Sequence, residues 1–164
     1  VICEDIADFA AALPPGRGLM GLDLGTKTIG VAVSDRLLSA ASALETVKRV
    51  KFTEDAARLA VILAGRELCG IVLGLPANMD GSEGPRAQST RAFARNLARL
   101  PAFDGVPIAF WDERLSTVAA ERALLEADTS RKRRAEVIDA VAAGYILQGA
   151  LDRLRHLRAG FHDR

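Results

Sequence analysis

With 164 residues, the chain has room for one well-buried core and too little for two ordinary domains. Apolar residues make up 49% of it and charged residues 26%, the composition of an ordinary globular protein, and no apolar run approaches the ~20 residues that span a bilayer. The net charge of +1 points by itself to no partner.

The opening segment, VICEDIADFAAALPPGRG, carries acids where a secretory signal would carry basic residues, so a cytoplasmic protein is expected. Within residues 1–17 the spacing of Ile6, Phe9 and Ala10 before Pro14-Pro15 predicts a short appended helix. A single domain over residues 18–158 and a tail over 159–164 are expected to follow. Leu19 to Leu24 is an apolar run without helical period, and Ile29 to Val33 is a second; the short link Gly25–Thr28 makes them an antiparallel hairpin. SALETVKRV reads as a third strand with Leu44 and Val47 buried. TEDAARLAVILAGREL has Thr53 as a candidate N-cap, acids in its first turn and helical apolar spacing. CGIVLGLP is a buried strand, PANMDGSEGPR a turn-rich loop, AQSTRAFARNLARL an amphipathic helix and VPIAFWDE a fifth strand. STVAAERALLEA reads as a helix, with Thr117 or Ser116 at its start, DTSRKRR as a basic loop, and AEVIDAVAAGYILQGALDRLRHLR as a long final helix. The order predicts an α/β fold, a mixed sheet covered by helices on both faces.

Three carboxylates stand where apolar residues would be expected. Asp23 interrupts a buried strand, and Glu113 follows the fifth strand at its carboxyl end. Asp139 shares a helix face with Ala142, Ala143, Ile146 and Ala150, residues small enough to let the helix approach the sheet. A buried carboxylate without a partner is very costly, so each requires a counter-charge. Strand carboxyl ends in such sheets share one edge, where ligands bind. Oxygen ligands without a His or Cys cluster suit Mg²⁺ or Mn²⁺. Carboxylates around one or two such ions are the apparatus for attack of water on a phosphodiester. His156 and His162 are read as surface residues. Cys3 and Cys69 match no metal spacing and predict no disulfide framework.

Other segments leave two readings each. The glycines after CGIVLGLP, with Pro85 at the first turn of a helix and Arg86 beside it, are either a phosphate-binding turn or an ordinary strand–helix connection. Ser82 and Glu83 are candidate local caps there. Residues 131–164 hold eight Lys and Arg against four Asp and Glu, either an electrostatic footprint for a polyanion or a solvated helix face. Trp111 reads as core, or as a ring available to stack on a base.

Four segments together resemble the YqgF (RuvX) family of bacterial nucleases: GLDLGTKTIGVAVSD, IVLGLPANMDGSEGPRAQSTRAFARNL, FWDERLSTVAAERALLEA and VIDAVAAGYILQGALD. The resemblance runs from Leu19 to Arg155. It implies an RNase H-like fold related to RuvC resolvases, a five-stranded mixed sheet with strand 2 antiparallel and helices on both faces. It also implies a metal site on Asp23, Glu113 and Asp139, the residues that burial selects independently. The implied activity is metal-dependent phosphodiester hydrolysis in 5′-end maturation of pre-16S rRNA. Ala43 stands where the family commonly has proline, and residues 1–17 carry none of the motif.

On this reading Asp23 bridges the metals, and Glu113 and Asp139 complete the shell. Lys27 and Arg86 contact the scissile or neighbouring phosphate, while Arg114, Arg131 and Arg133 hold flanking backbone without reading sequence; for Arg131–Arg134 a solvated loop is the alternative. The expected partner is nucleic acid, either pre-rRNA, free or within the small ribosomal subunit, or a four-way DNA junction; no membrane is expected, and a monomer or homodimer is. Two rivals belong to other classes. An actin- or Hsp70-like ATPase also opens on DxGT…GVA but needs two lobes, and a non-catalytic nucleic-acid-binding module would have no use for three buried carboxylates.

Overall fold

The computed structural model describes residues 1–115 and 131–162. The elements are β1 (Ile2–Cys3), α1 (Ile6–Ala12), β2 (Leu19–Leu24), β3 (Thr28–Ser34), β4 (Ala41–Lys48), α2 (Phe52–Gly65), β5 (Gly70–Leu75), α3 (Pro85–Ala98), β6 (Ile108–Asp112) and α4 (Arg131–His162). They build one sheet in the order β1-β6-β5-β2-β3-β4. β3 runs antiparallel to both its neighbours, whereas β2, β5, β6 and β1 are parallel along the series.

Strand alternation divides the core into two layers. Met20, Leu22, Leu24, Ile29, Val31, Ile71 and Leu73 face α2 and α3. Leu19, Ala32, Val72, Ala109 and Trp111 face α1 and α4. The small residues expected on α4, Ala142, Ala143, Ile146 and Ala150, are all buried. Cys3 and Cys69 are free and buried, and burial pushes both thiols up, which keeps them protonated and unreactive.

Several local expectations are corrected. The sheet has six strands, because Ile2–Cys3 pairs with Ile108–Ala109, and the Ile108 N–H donates to Val1 O at 2.7 Å beside the pair. Leu44 is only half-buried, because a bulge between Val31 and Ala32 leaves it without a cross-strand partner. Thr53 does not cap α2, which begins one residue earlier with Lys51 as N-cap. The buried Asp55 reaches back from inside the helix to accept the Val50 N–H at 3.1 Å. Neither Ser82 nor Glu83 caps α3, whose N-cap is Gly84. Arg131–Arg134 are the first turn of α4 rather than a loop, in keeping with the good helix propensity of Arg and Lys. The expected helix 116–127, with Ser116 and Thr117 at its start, lies outside the described residues. Trp111 is 8% exposed and packed against Gly149, so it is core and unavailable to a base.

Candidate active site

The register of the central strands places Asp23 between two glycines. It pairs with Gly30 of β3. On its other side β2 runs beside β5 through Leu22 and Leu73, so Gly74 is the next residue in line, itself paired with Trp111. All four positions lie on the face that α4 covers. Asp23 is 3% exposed and one of the few buried polar side chains, and it has a partner in the structure, as does Glu113.

Each glycine admits one of the other carboxylate residues. A Cβ at Gly30 would lie 1.8 Å from Asp139 O and 2.8 Å from Ala140 N, so α4 rests its backbone directly on β3 at this point. A Cβ at Gly74 would lie 2.9 Å from Glu113 Oε1 and 2.4 Å from Ile146 Cδ1. Larger residues at these positions would displace Asp139 in the one case and Ile146 and Glu113 in the other. The arrangement brings Asp23 (β2), Glu113 (the turn Glu113–Leu115 after β6) and Asp139 (α4) to one face of the sheet at its carboxyl edge.

The chemistry of this set is oxygen-only, and in donor type it suits a hard divalent cation. Among the described residues no three His, Cys, Asp or Glu side chains are drawn together tightly enough to hold one ion. Asp139 is instead turned toward β3, where the Thr28 hydroxyl donates to its Oδ2. Thr28 was not singled out in the sequence. Alternation from Gly30 puts it on the same face, and that period-2 signal is how it could have been found.

The turn that joins β2 to β3 is closed by Gly25 N–H donating to Thr28 O at 2.8 Å. Arg49 clamps it from outside: its backbone N–H bonds Lys27 O at 2.9 Å and its Nη1 bonds Gly25 O at 2.5 Å. Lys27 is exposed at the tip.

On the other flank, the loop after β5 is locked by its own polar groups. Asn78 N–H bonds Ser82 O at 2.9 Å, and Ser82 donates to Asp80 Oδ1 from its amide at 2.9 Å and its hydroxyl at 2.6 Å, which holds the Asp80 carboxyl below its usual range. Arg114 is less free than the sequence suggested. Its Nη2 lies 2.6 Å from Asp112 Oδ2 and its Nη1 3.3 Å from Met79 O, so it staples this loop to the end of β6 and lowers the pKa of Asp112 by hydrogen bonding. Glu83 is paired to Arg91 at 2.5 Å. Arg86 is exposed on the first turn of α3. Lys27, Arg86 and Arg114 thus all stand around the carboxyl edge, while Arg131 and Arg133 are placed by their backbone in the first turn of α4.

The family model described as "RuvX: Holliday junction resolvase" matches residues 17–153. A protein of Roseobacter denitrificans is 76% identical over 159 residues, covering 97% of each chain. One of Jannaschia sp. is 73% identical over 159 residues, covering 97% of this chain and 99% of its own. Both carry the name "Putative pre-16S rRNA nuclease". Among solved structures, T. thermophilus RuvC in complex with Holliday junction substrate superposes with a TM-score of 0.53 at 16% identity, over 84% of this chain and 96% of that one. A second T. thermophilus RuvC structure gives 0.52 at 18% identity, over 87% and 96%; at such identities the likeness is one of fold.

Proposed function

The chain belongs to the RuvX family, and on that footing we propose that it is a metal-dependent nuclease that hydrolyses phosphodiester bonds in structured nucleic acid, its cellular task being maturation of the 5′ end of pre-16S rRNA. The observation that supports the reading is that Asp23, Glu113 and Asp139 come from three separate elements to one face of the sheet, with Asp139 seated on Gly30 and Glu113 beside Gly74. The name shared by relatives that match nearly the whole chain supports rRNA as substrate.

Asp23, Glu113 and Asp139 would hold Mg²⁺ or Mn²⁺. When bound, such an ion lowers the pKa of an attacking water and stabilises the leaving oxygen. The protein's own share is positioning. The central strand fixes Asp23, the Thr28 hydroxyl orients Asp139, and the turn after β6 delivers Glu113. Lys27 and Arg86, both exposed at this edge, offset the charge of an incoming phosphate. Arg114 acts on the substrate chiefly by fixing the 78–82 loop, and Arg131 and Arg133 supply positive charge at the start of α4. Among the described residues no helix is long and apolar enough to cross a membrane.

The test is cleavage of a pre-16S rRNA fragment with Mg²⁺ or Mn²⁺, comparing wild type with Asp23→Asn. Cleavage lost and RNA binding kept is the expected result; full cleavage by Asp23→Asn sinks the metal-site reading. The family description favours a second substrate, a four-way DNA junction, and parallel assays on both nucleic acids decide between them.

A further inference from the structure

Beyond β3, on which the Asp139 backbone rests, lies one edge of the sheet. β4 is the outermost strand there. Val47 points into the core beneath α2 and α3, so by alternation Lys48 projects on the opposite face, the one that carries Asp23 and Asp139. Its register partner is Thr28, which itself bonds the Asp139 carboxylate. Lys48 therefore stands one strand spacing, ~5 Å, from a residue that touches the site. Lys27 is next to Thr28, and Lys51 follows at the N-cap of α2.

All three lysines are exposed. Among the described residues neither Lys27 nor Lys48 has an ion pair, and Lys51 has a single loose one, to Glu54 at 3.8 Å with its side chain 67% exposed. Arg49, between them in sequence, is used structurally. Its bonds to Gly25 O and Lys27 O tie the β2–β3 turn to the end of β4, so the lysines are presented from a braced ridge. An acid site repels a polyanion before any cation arrives; exposed ammonium groups that begin with Lys48 on the same face and continue around the edge to Lys51 on the α2 side offset that repulsion.

We propose that Lys48 and Lys51 carry the substrate backbone outward from the acid site across the β3–β4 edge, contacting phosphates of a nucleic-acid strand without reading its bases. The assignment rests on the nuclease reading above and extends its footprint to the side away from Arg86 and Arg114. From Asp23 across β3 to β4 is two strand spacings, ~10 Å, which corresponds to about three nucleotides of rise along one strand. The ridge thus holds backbone about three nucleotides from the cleaved bond.

The test is the salt dependence of binding of a single-stranded RNA oligonucleotide, measured by fluorescence anisotropy without divalent cation so that cleavage does not intrude. Removing two phosphate contacts in a Lys48→Ala, Lys51→Ala double variant makes the slope of log K against log salt shallower by about 1.4, with an unchanged melting temperature. The control is Arg153→Ala, Arg158→Ala. It makes the same change in net charge toward the far end of α4, where Arg155 reaches Ser39 at the opposite end of β4, and it should leave the slope in place. A wild-type slope in the lysine variant, or an equal loss in the control, overturns the proposal. If no divalent cation supports cleavage by the wild type but the lysine variant still loses slope selectively, the nuclease reading falls and the ridge stands as a nucleic-acid contact; cleavage with an unmoved slope removes the ridge alone.

Discussion

Replacing Gly30 by alanine tests whether the glycine gap positions the site. The added Cβ would meet Asp139 O at 1.8 Å, Asp139 C at 2.1 Å and Ala140 N at 2.8 Å. All three are backbone atoms, so no side-chain rotation relieves the clash. Reaching the 3.0 Å below which real Cβ contacts are essentially never found requires about 1.2 Å of separation between β3 and α4. Overpacking of this kind costs about 1–3 kcal/mol, which in a chain of this length lowers the melting temperature by roughly 2–10 °C. The displaced residue is Asp139 itself, and a misplacement of about 1 Å at a reacting site costs on the order of 10²-fold in rate. The assay pairs differential scanning fluorimetry with cleavage of the rRNA fragment at a temperature where the variant remains folded. Gly65→Ala is the control: nothing lies within 4 Å of its Cβ, and in α2 the change is neutral or stabilising by up to ~1 kcal/mol. A Gly30→Ala protein with wild-type melting and wild-type cleavage would refute the close approach of α4 and the argument built on it.

Gly74→Ala presses on Ile146 Cδ1 and Glu113 Oε1, the ends of flexible side chains, so it should cost little melting temperature and yet cut cleavage at least tenfold, as a KM-against-kcat comparison would show in kcat. Arg91→Met removes the pairs to Glu83 and Glu4 and the stacking of the guanidinium 4.8 Å over the Phe110 ring. With Glu4 69% exposed and contributing little, the loss should be about 2 kcal/mol, read by urea denaturation. Asp112 has its pKa lowered in the folded state by Arg114, so the stability it contributes is present above its ordinary value of 3.8 and is lost as the pH falls through the lowered one. Arg114→Met should therefore lower the melting temperature near neutral pH, and the gap to wild type should close as the pH falls through the lowered value; a gap that persists in acid would mean that Arg114 acts by packing alone.

Strand and helix order was legible because each element of the central sheet has either an unbroken apolar run or a clear helical period. The parts that were not legible depend on partners distant in sequence. Ile2–Cys3 is too short to carry a period and becomes a strand only because β6 offers an open edge. The start of α2 is set by Asp55, four residues beyond the N-cap and reaching back to Val50, a bond the Thr53 pattern does not encode. Arg114 carries a charge that sequence reading assigns outward, yet its neighbour Asp112 consumes much of it. For the site, the buried position of Asp23 and the small apolar companions of Asp139 were both readable. Their adjacency was implied by the family resemblance alone and not by periodicity, since it requires the register that sets Gly30 opposite Asp23.

That register also separates the two chemistries that the GLDLGTKT segment permits. A nucleotide-phosphate loop needs backbone N–H groups turned toward the ligand. Here the Gly25 N–H is spent on Thr28 O, and the Gly25 and Lys27 carbonyls are held by Arg49. The Thr28 hydroxyl, which a phosphate loop would offer to its ligand, is given to Asp139. The turn is bonded inward to the sheet and to α4, and its one outward cation is Lys27. What the segment presents is a buried carboxylate beside an inward-bonded turn with a lysine exposed at its tip, and the bonded turn offers no cradle of amides to a nucleotide.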